Sequence, residues 1–440
     1  MSLNLCVLAA VLFVTAGGAH AQSGSNCEEA DPNDNEPDDA ALQACLNRGG
    51  TIALRPGAPG YILERGLILT QSGTVLTSMS PPSRVTVLAH PDLFAAMLGV
   101  SDSVSRYEIS HIFFDGNVTR RRRRGECAGY RGFGTNLQPR GSNFIIRDIS
   151  SVRAMCGSAM EVLGRDYEIA NNLIANNGLE SGAPEPWADG ITLLNCTGGY
   201  VHDNTIKEST DVGLVVGGGR GCRIENNIIS QSAAYAFAGF HVYNFNVGTG
   251  GQGNHAGSVY KGNRITSSLN KMGFGLGVGS HPWDKGHTVS DAGVITANTI
   301  SGAVVNLAVD GVDNGRITGN ALSGARGSRT VAVNCRSSAN YTAGHFGKTV
   351  LQPGWIGVTF HDGGCQATGE GLPSVAACDA VTQPAPHWGM KIGLCLKSCG
   401  ALGGTRSFDD GCEHHGMSLA GAAYDVKFCC KPSRIRTALP

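Results

Sequence analysis

Asp189 and Asp211 stand in similar settings, Trp187-Ala-Asp-Gly-Ile191 and Ser209-Thr-Asp-Val-Gly213. Each directly precedes an apolar run that reads as a strand. Carboxyl groups held close together repel as anions, so one keeps its proton to higher pH. Such a pair suits the acid and base roles of glycoside hydrolysis. Glu208 and Asp203 lie nearby in sequence and are further candidates. A second constellation carries histidine: His241 in Gly239-Phe-His-Val-Tyr243, and the loop His281-Pro-Trp-Asp-Lys-Gly-His287. His241, His281 or Lys285 would be the base of a polysaccharide lyase or C5-epimerase acting on a uronate polymer. In that reading the aspartates bind calcium, which bridges uronate carboxylates through oxygen ligands. Hydrolysis needs no cofactor. Trp187 and Trp283 offer aromatic faces to sugar rings, with Tyr243 and Asp203 as further substrate contacts. Two plainer readings stand beside these. Asp before Gly is common at strand starts, and histidines in polar loops are unspecific. A protein that only binds glycan, without catalysis, is the third functional class.

These residues need a scaffold that brings sequence-distant positions onto one face. A short phrase recurs along the chain: apolar, two variable residues, Asn, one variable, apolar. It reads Ile169-Ala-Asn-Asn172-Leu-Ile174, Val201-His-Asp-Asn204-Thr-Ile206 and Ile224-Glu-Asn-Asn227-Ile-Ile229. It continues at Asn263, Asn298 and Asn320, and Asp148 keeps the same frame earlier. The steps from Asn204 to Asn227 and from Asn298 to Asn320 are short and nearly equal, and the other steps are markedly longer. The short steps match one turn of a three-strand coil, and the long ones a turn plus an insertion. Stacked coils place the apolar residues inward, about 4.8 Å apart. They place Asn at a turn, where it tolerates left-handed backbone and can form a ladder. A second strand family precedes each phrase, as in Ala159-Met-Glu-Val162, Gly190-Ile-Thr-Leu193 and Gly213-Leu-Val-Val216. An antiparallel sandwich would not repeat one Asn phrase in this way. The fold expected is all-β: a right-handed parallel β-helix, with a small disulfide-rich module at its C-terminal end. The spacing of Asp189 and Asp211 is about one coil, so they fall on neighbouring rungs.

Composition agrees. The 63 glycines and 16% charged residues favour many short strands and tight turns over a helical bundle, and 41% hydrophobic residues exclude a disordered chain. A formal net charge of -1 gives no field for nucleic acid. The run Arg120–Arg124 reads as an exposed insertion or as a contact for an acidic glycan.

The N-terminal region carries a resemblance. Glu36-Pro-Asp-Asp-Ala-Ala-Leu-Gln-Ala-Cys-Leu-Asn47 is followed by Gly49-Gly-Thr-Ile-Ala-Leu-Arg-Pro-Gly57, then Tyr61-Ile-Leu and Leu67-Ile-Leu. It resembles the entry of pectate-lyase-fold proteins, polygalacturonases among them, where a short acidic-capped helix blocks the end of the β-helix. The helix also stands on its own residues: Asp38 or Asp39 can cap it, and Ala41, Leu42 and Cys45 share a face. The resemblance covers about residues 36 to 360. In polygalacturonases acidic residues stand on successive coils in an Asp-Gly-Ile-like setting, which Asp189 and Asp211 resemble.

The ends complete the organisation. Leu5–Phe13 is apolar but too short to span a bilayer, and Ala19-His-Ala21 is a cleavage-like pattern. Residues 1–21 are therefore expected as a signal peptide of a secreted, extracellular or periplasmic protein with no membrane span. Fourteen of the 15 cysteines follow it, an even set suited to disulfides. The β-helix is expected over 22–365, a Pro-containing linker over 366–390 and a Cys-rich module over 391–440. The expected partner is a polysaccharide, an acidic one in the lyase reading.

Overall fold

The computed structural model describes residues 25–121, 134–178, 188–234, 236–245, 253–268, 271–279, 288–303, 305–309 and 311–323, with short strands between 350 and 430. Three parallel sheets run the length of the molecule. The first has twelve strands, from Ser25–Asn26 to Val350–Leu351. The second has ten, from Tyr61–Leu63 to Ala321–Ser323. The third has ten, from Leu67–Leu69 to Val305–Val309, with Arg140–Ser142 pairing off the main path. Successive strands visit the sheets in turn, and each pairs in parallel with its counterpart one coil on. That is a parallel β-helix, and the right-handed crossover is the one L-residue twist favours.

The repeating phrase spans one corner of each coil. Its first apolar residue belongs to the first sheet and its last to the second, with the Asn between them. Ile146, Ile169, Val201, Ile224, Tyr260, Ile295 and Ile317 stack in register inside the first sheet, all buried. Each fully buried aliphatic side chain contributes roughly 1.5–3 kcal/mol, and no coil can bury its inner face alone.

Six asparagines form a ladder at this corner. The Nδ2 of Asn172, Asn204, Asn227, Asn263 and Asn298 each donates to the Oδ1 of the next, at 2.9–3.0 Å. Each backbone N–H along the run donates to the same oxygen. The left-handed residue is not the ladder Asn but its predecessor: Asn171, Asp203, Asn226 and Ala297 all have φ between 53° and 58°. Asp148 fills this preceding position, and the ladder ends where Ile149 N–H donates to Asn172 Oδ1.

Helix α1 (Asp39–Arg48) covers the N-terminal coil with Leu42, Cys45 and Leu46 buried. Asp38 makes no side-chain cap bond to α1. Its carboxylate instead accepts from the N–H of Ile62 and of Asp31, which ties the helix start to the first strand of the second sheet. Disulfides join Cys27 to Cys45 and Cys196 to Cys222. Helix α2 (Val118–Arg121) carries the start of the arginine run. Arg121 is buried and donates to the carbonyls of Gly116 and Leu93, so it serves the fold rather than an exposed patch. Residues 122–124 lie outside the described residues, as do the expected signal peptide and 369–390 of the expected linker; residues 366–368 instead end the strand Gly364–Thr368, which pairs antiparallel with Gly357–His361 across the expected boundary. Within 391–440, four strands from Gly393–Leu396 to Ala422–Cys430 form a separate sheet. Among the described residues no helix is long and apolar enough to cross a membrane.

His255 is buried where the chain re-enters the first sheet. Its Nε2–H donates to Tyr243 O at 3.0 Å, and Tyr260 OH donates to its Nδ1 at 2.7 Å. Burial lowers its pKa to about 4. The unfolded chain therefore binds a proton near pH 6.5 that the folded chain refuses until about 4. Stability is full above the unfolded value and falls as pH drops through this window, by about 3 kcal/mol from this group. Denaturant titrations at pH 7 and pH 4.5 should show that loss, and His255→Gln should flatten it.

Candidate active site

The strand Ala188–Thr197 of the third sheet opens on Asp189-Gly190-Ile191. Gly190 faces the interior: a Cβ there would meet Ile206 Cγ2 at 2.6 Å and collide with Gly213 O. Ile191 also belongs to the core. Two successive inward residues break the usual alternation. The break lets Asp189 and Thr192 meet: Thr192 Oγ1 donates to Asp189 Oδ2 at 2.6 Å. The glycine of the Asp-Gly pair is thus structural, while the aspartate is left to carry chemistry.

Asp189 and Asp211 do lie on neighbouring coils. Ile191 pairs with Leu214 further along the two strands, and ahead of the two inward residues the backbone bond from Asp211 to Ala188 sets Asp211 level with Asp189. Asp211 N–H donates to Ala188 O at 3.2 Å, and Val212 N–H donates to Asp189 Oδ1 at 3.0 Å. Both side chains are buried, at 4% and 0% exposure. The two carboxyl groups are within hydrogen-bonding reach of each other. Among the described residues no donor reaches either oxygen of Asp211. Such a contact is favourable only when one carboxyl holds a proton. Burial raises Asp189 to about 7, against the bonds from Thr192, Val212 and Asp211. Burial, then the charge of Asp189, holds Asp211 well above the ordinary carboxylate range. Asp189 receives the donors, so the negative charge rests there and the proton on Asp211.

The environment extends one coil back. Ser158 and Thr192 hydroxyls are 2.6 Å apart. Since the Thr192 proton goes to Asp189, Ser158 donates to Thr192. Glu161 aligns with Thr192 on the next strand. Arg140 Nη2 donates to Glu161 Oε1 at 3.0 Å. Burial raises the Glu161 pKa in opposition to that guanidinium. Thr192→Val should remove one donor from the Asp189 anion. A hydrogen bond to a charged group is worth about 1.5–3 kcal/mol, so the apparent pKa should rise by roughly 1–2. A pH–rate profile would read the shift.

His241 belongs to the same face. It aligns with Val215, and Val215 with Thr192, so it lies two strands, about 10 Å, from Thr192. His241 Nε2–H donates to Gly279 O at 2.8 Å, which leaves Nδ1 as the lone-pair nitrogen of the neutral ring. Its ring stacks on Phe237 and meets Tyr243 edge-on, both at 5.5 Å. Tyr243 is therefore beside His241, as its sequence position suggested.

Two candidates go elsewhere. Glu208 has φ 55° and accepts from Ser232 Oγ and from the N–H of Ser232, Ala233 and Ala234. These bonds lower its pKa against burial and commit it to a turn of the second sheet. Asp203 occupies the left-handed turn position between the first and second sheets and pairs with His202 at 2.7 Å. Neither joins the third-sheet cluster. His281, Lys285, Trp187 and Trp283 lie outside the described residues. The residues missed from sequence are Glu161, Thr192, Ser158 and Arg140. Glu161, Thr192 and His241 share one signal: each is the polar residue between two inward apolar ones, as in Met-Glu-Val, Ile-Thr-Leu and Phe-His-Val.

Among the described residues no group of three His, Cys, Asp or Glu side chains is gathered, and the Asp189 oxygens accept from Thr192 and Val212.

A family model described as a right handed beta helix region matches residues 126–281. No curated protein matches the chain. Among solved structures, the A-module of the mannuronan C-5 epimerase AlgE6 from Azotobacter vinelandii is 16% identical with a TM-score of 0.45, covering 67% of this chain and 76% of that one. The catalytic unit of a GH87 alpha-1,3-glucanase from Streptomyces thermodiastaticus is 13% identical with a TM-score of 0.44, covering 79% and 72%. Tailspike protein 2 of bacteriophage CBA120, in its enzymatically active domain, is 12% identical with a TM-score of 0.43, covering 75% and 46%. The right-handed parallel β-helix that the pectate-lyase-like entry implies is the fold of this chain.

Proposed function

We propose that the chain is a secreted polysaccharide-active enzyme, and that it hydrolyses glycosidic bonds at the third-sheet cluster. The observation that carries this reading is the buried Asp189–Asp211 pair, whose carboxyls burial holds above the ordinary range. A carboxyl still protonated near pH 7 is a suitable general acid for a leaving glycosidic oxygen. The two carboxyls are in contact, closer than the roughly 5–9.5 Å that separates opposed catalytic carboxylates. They therefore act as one acid unit: Asp211 donates the proton and Asp189 stabilises its position. The second carboxylate is Glu161, one strand away, as base or nucleophile. Reaction at a pair this buried requires local opening of the face.

A second reading rests on His241. Its fixed tautomer leaves Nδ1 unprotonated, which suits a base that removes a proton beside a uronate carboxyl. That chemistry would yield a lyase or an epimerase. One assay separates the readings. The protein is incubated with neutral and acidic polysaccharides, with and without a chelator. Hydrolysis predicts new reducing ends, no unsaturated product and no chelator effect. Ultraviolet absorbance from an unsaturated product, or sugar conversion without cleavage, would replace it with the His241 reading.

A further inference from the structure

We infer that the cleft at the N-terminal end of the third sheet is a distal saccharide subsite, and that the glycan it admits is neutral; this rests on the hydrolase reading. The cleft measures about 530 Å³ and is lined by Ile68, Ala96, Gly99, Asp102, Gln138 and Arg140, among others. That volume is typical of small-molecule sites.

The cleft exists because of one residue type at one position. Ile68, Gly99 and Gln138 align on successive strands and alternate with the core residues Leu67, Leu69, Leu98 and Leu137. They therefore face outward. Gly99 leaves the floor bare: a Cβ there would meet only Leu67 O, at 3.8 Å. Ile68 stands beside this gap and is 52% exposed. The floor is apolar, and Asp102, Gln138 and Arg140 form a polar rim. A sugar ring presents the same two chemistries, C–H faces and hydroxyl edges, and no large apolar ligand would match the rim.

A relay of side-chain contacts links the cleft to the buried acid pair. Gln138 Nε2 reaches Glu161 Oε1 at 3.5 Å, Glu161 aligns with Thr192, and Thr192 bonds Asp189. The Gly99 strand is three strands from the Asp189 strand, about 14 Å at the usual spacing. One linear polymer lying along the axis reaches both.

Charge decides the class of polymer. Among the described residues Arg140 is the cation along this path, and it is paired with Glu161. Asp102 adds a carboxylate, and the Asp189–Asp211 pair with its single proton adds another negative charge. Among the described residues three anions face one cation. A polyuronate would meet net repulsion along its length, whereas hydroxyl groups can donate to these carboxylates.

The test uses affinity electrophoresis of the full chain through gels containing a mixed-linkage β-glucan, a galactomannan, dextran, polygalacturonate or alginate. The expected result is retardation by at least one neutral polymer and by neither acidic one. Gly99→Phe should fill the cleft and weaken retardation at least tenfold, while Gly99→Ala retains it. Asp102→Ala, a change at an exposed position, should weaken it severalfold. Retardation by an acidic polymer as strong as by a neutral one would overturn the neutral assignment. Retardation by no polymer, or unchanged retardation of both Gly99→Phe and Asp102→Ala, would overturn the subsite. Wild-type binding without release of reducing ends removes the hydrolase reading and leaves the subsite standing. Release of reducing ends with unaltered binding by the variants does the reverse.

Discussion

Asp211→Asn should abolish turnover and, at pH 8, make the protein more stable. The two effects share one cause. The Asp211 carboxyl is buried without a donor among the described residues and touches Asp189. Asparagine keeps a donor for Asp189 but cannot release a proton to a leaving group, which costs about 10²–10⁴ in rate. The stability effect follows from linkage. Asp189 titrates at about 7 in the folded chain against an ordinary value of 3.8. The folded state then binds more protons than the unfolded one between those values. Its contribution is intact at low pH and is lost as pH rises through the window, the reverse of a salt-bridged carboxylate. The penalty at high pH is up to about 4 kcal/mol. Asp211, also held above its ordinary range by burial and by the charge of Asp189, carries a penalty of the same sign that the variant lacks, so the variant's advantage in denaturation midpoint should appear at pH 8 and vanish near pH 4. A variant that keeps the wild-type rate, or is less stable than wild type at pH 8, contradicts the shared proton.

Asn227→Ala should cost roughly 3–5 kcal/mol of stability. Asn227 sits inside the ladder with its side chain fully buried. Its Oδ1 accepts from both the N–H and the Nδ2 of Asn204, and its Nδ2 donates to Asn263 Oδ1 and Val201 O. Alanine leaves the Asn204 N–H without its acceptor in a dry corner and removes one donor each from Val201 O and Asn263 Oδ1. A buried group left unpaired costs about 1–3 kcal/mol, and the lost interactions on both neighbouring coils add to it. Asn227→Asp should be nearly as damaging, because a carboxylate cannot donate along the ladder. Thr205→Ala, on the outer face of the next strand, is the control and should change stability by less than about 0.5 kcal/mol. Thermal or urea unfolding of the three variants reads the contrast.

The coil was visible in the sequence because ladder residues must be Asn. No other side chain this short both accepts two N–H donors and donates to the next coil, so the phrase repeats from Asn172 to Asn320. The corner's left-handed position tolerates more variety, Asp203, Asn226, Gly262 and Ala297 included, and leaves a weaker trace. The third-sheet face was visible only in part. Asp189 and Asp211 were found by context and by their one-coil spacing, and the Asp211 N–H bonds the Ala188 carbonyl of the neighbouring coil. Thr192 and Ser158 were missed because their link to Asp189 depends on two adjacent inward residues, Gly190 and Ile191, which strict alternation does not anticipate. Glu208 and Asp203 were drawn in by nearness along the chain, but the coil turns them toward other sheets.

The measurement that bears most directly on the central claim is a titration of aspartate carboxyl groups by carbon NMR on selectively labelled protein. Between pH 4 and pH 9 one aspartate should titrate near 7 and a second well above the ordinary carboxylate range, and Asp211→Asn should remove the second signature while the burial-driven one near 7 persists. If every aspartate in the wild-type protein has ionised by pH 5, Asp189 and Asp211 share no proton and the acid assigned to Asp211 does not exist.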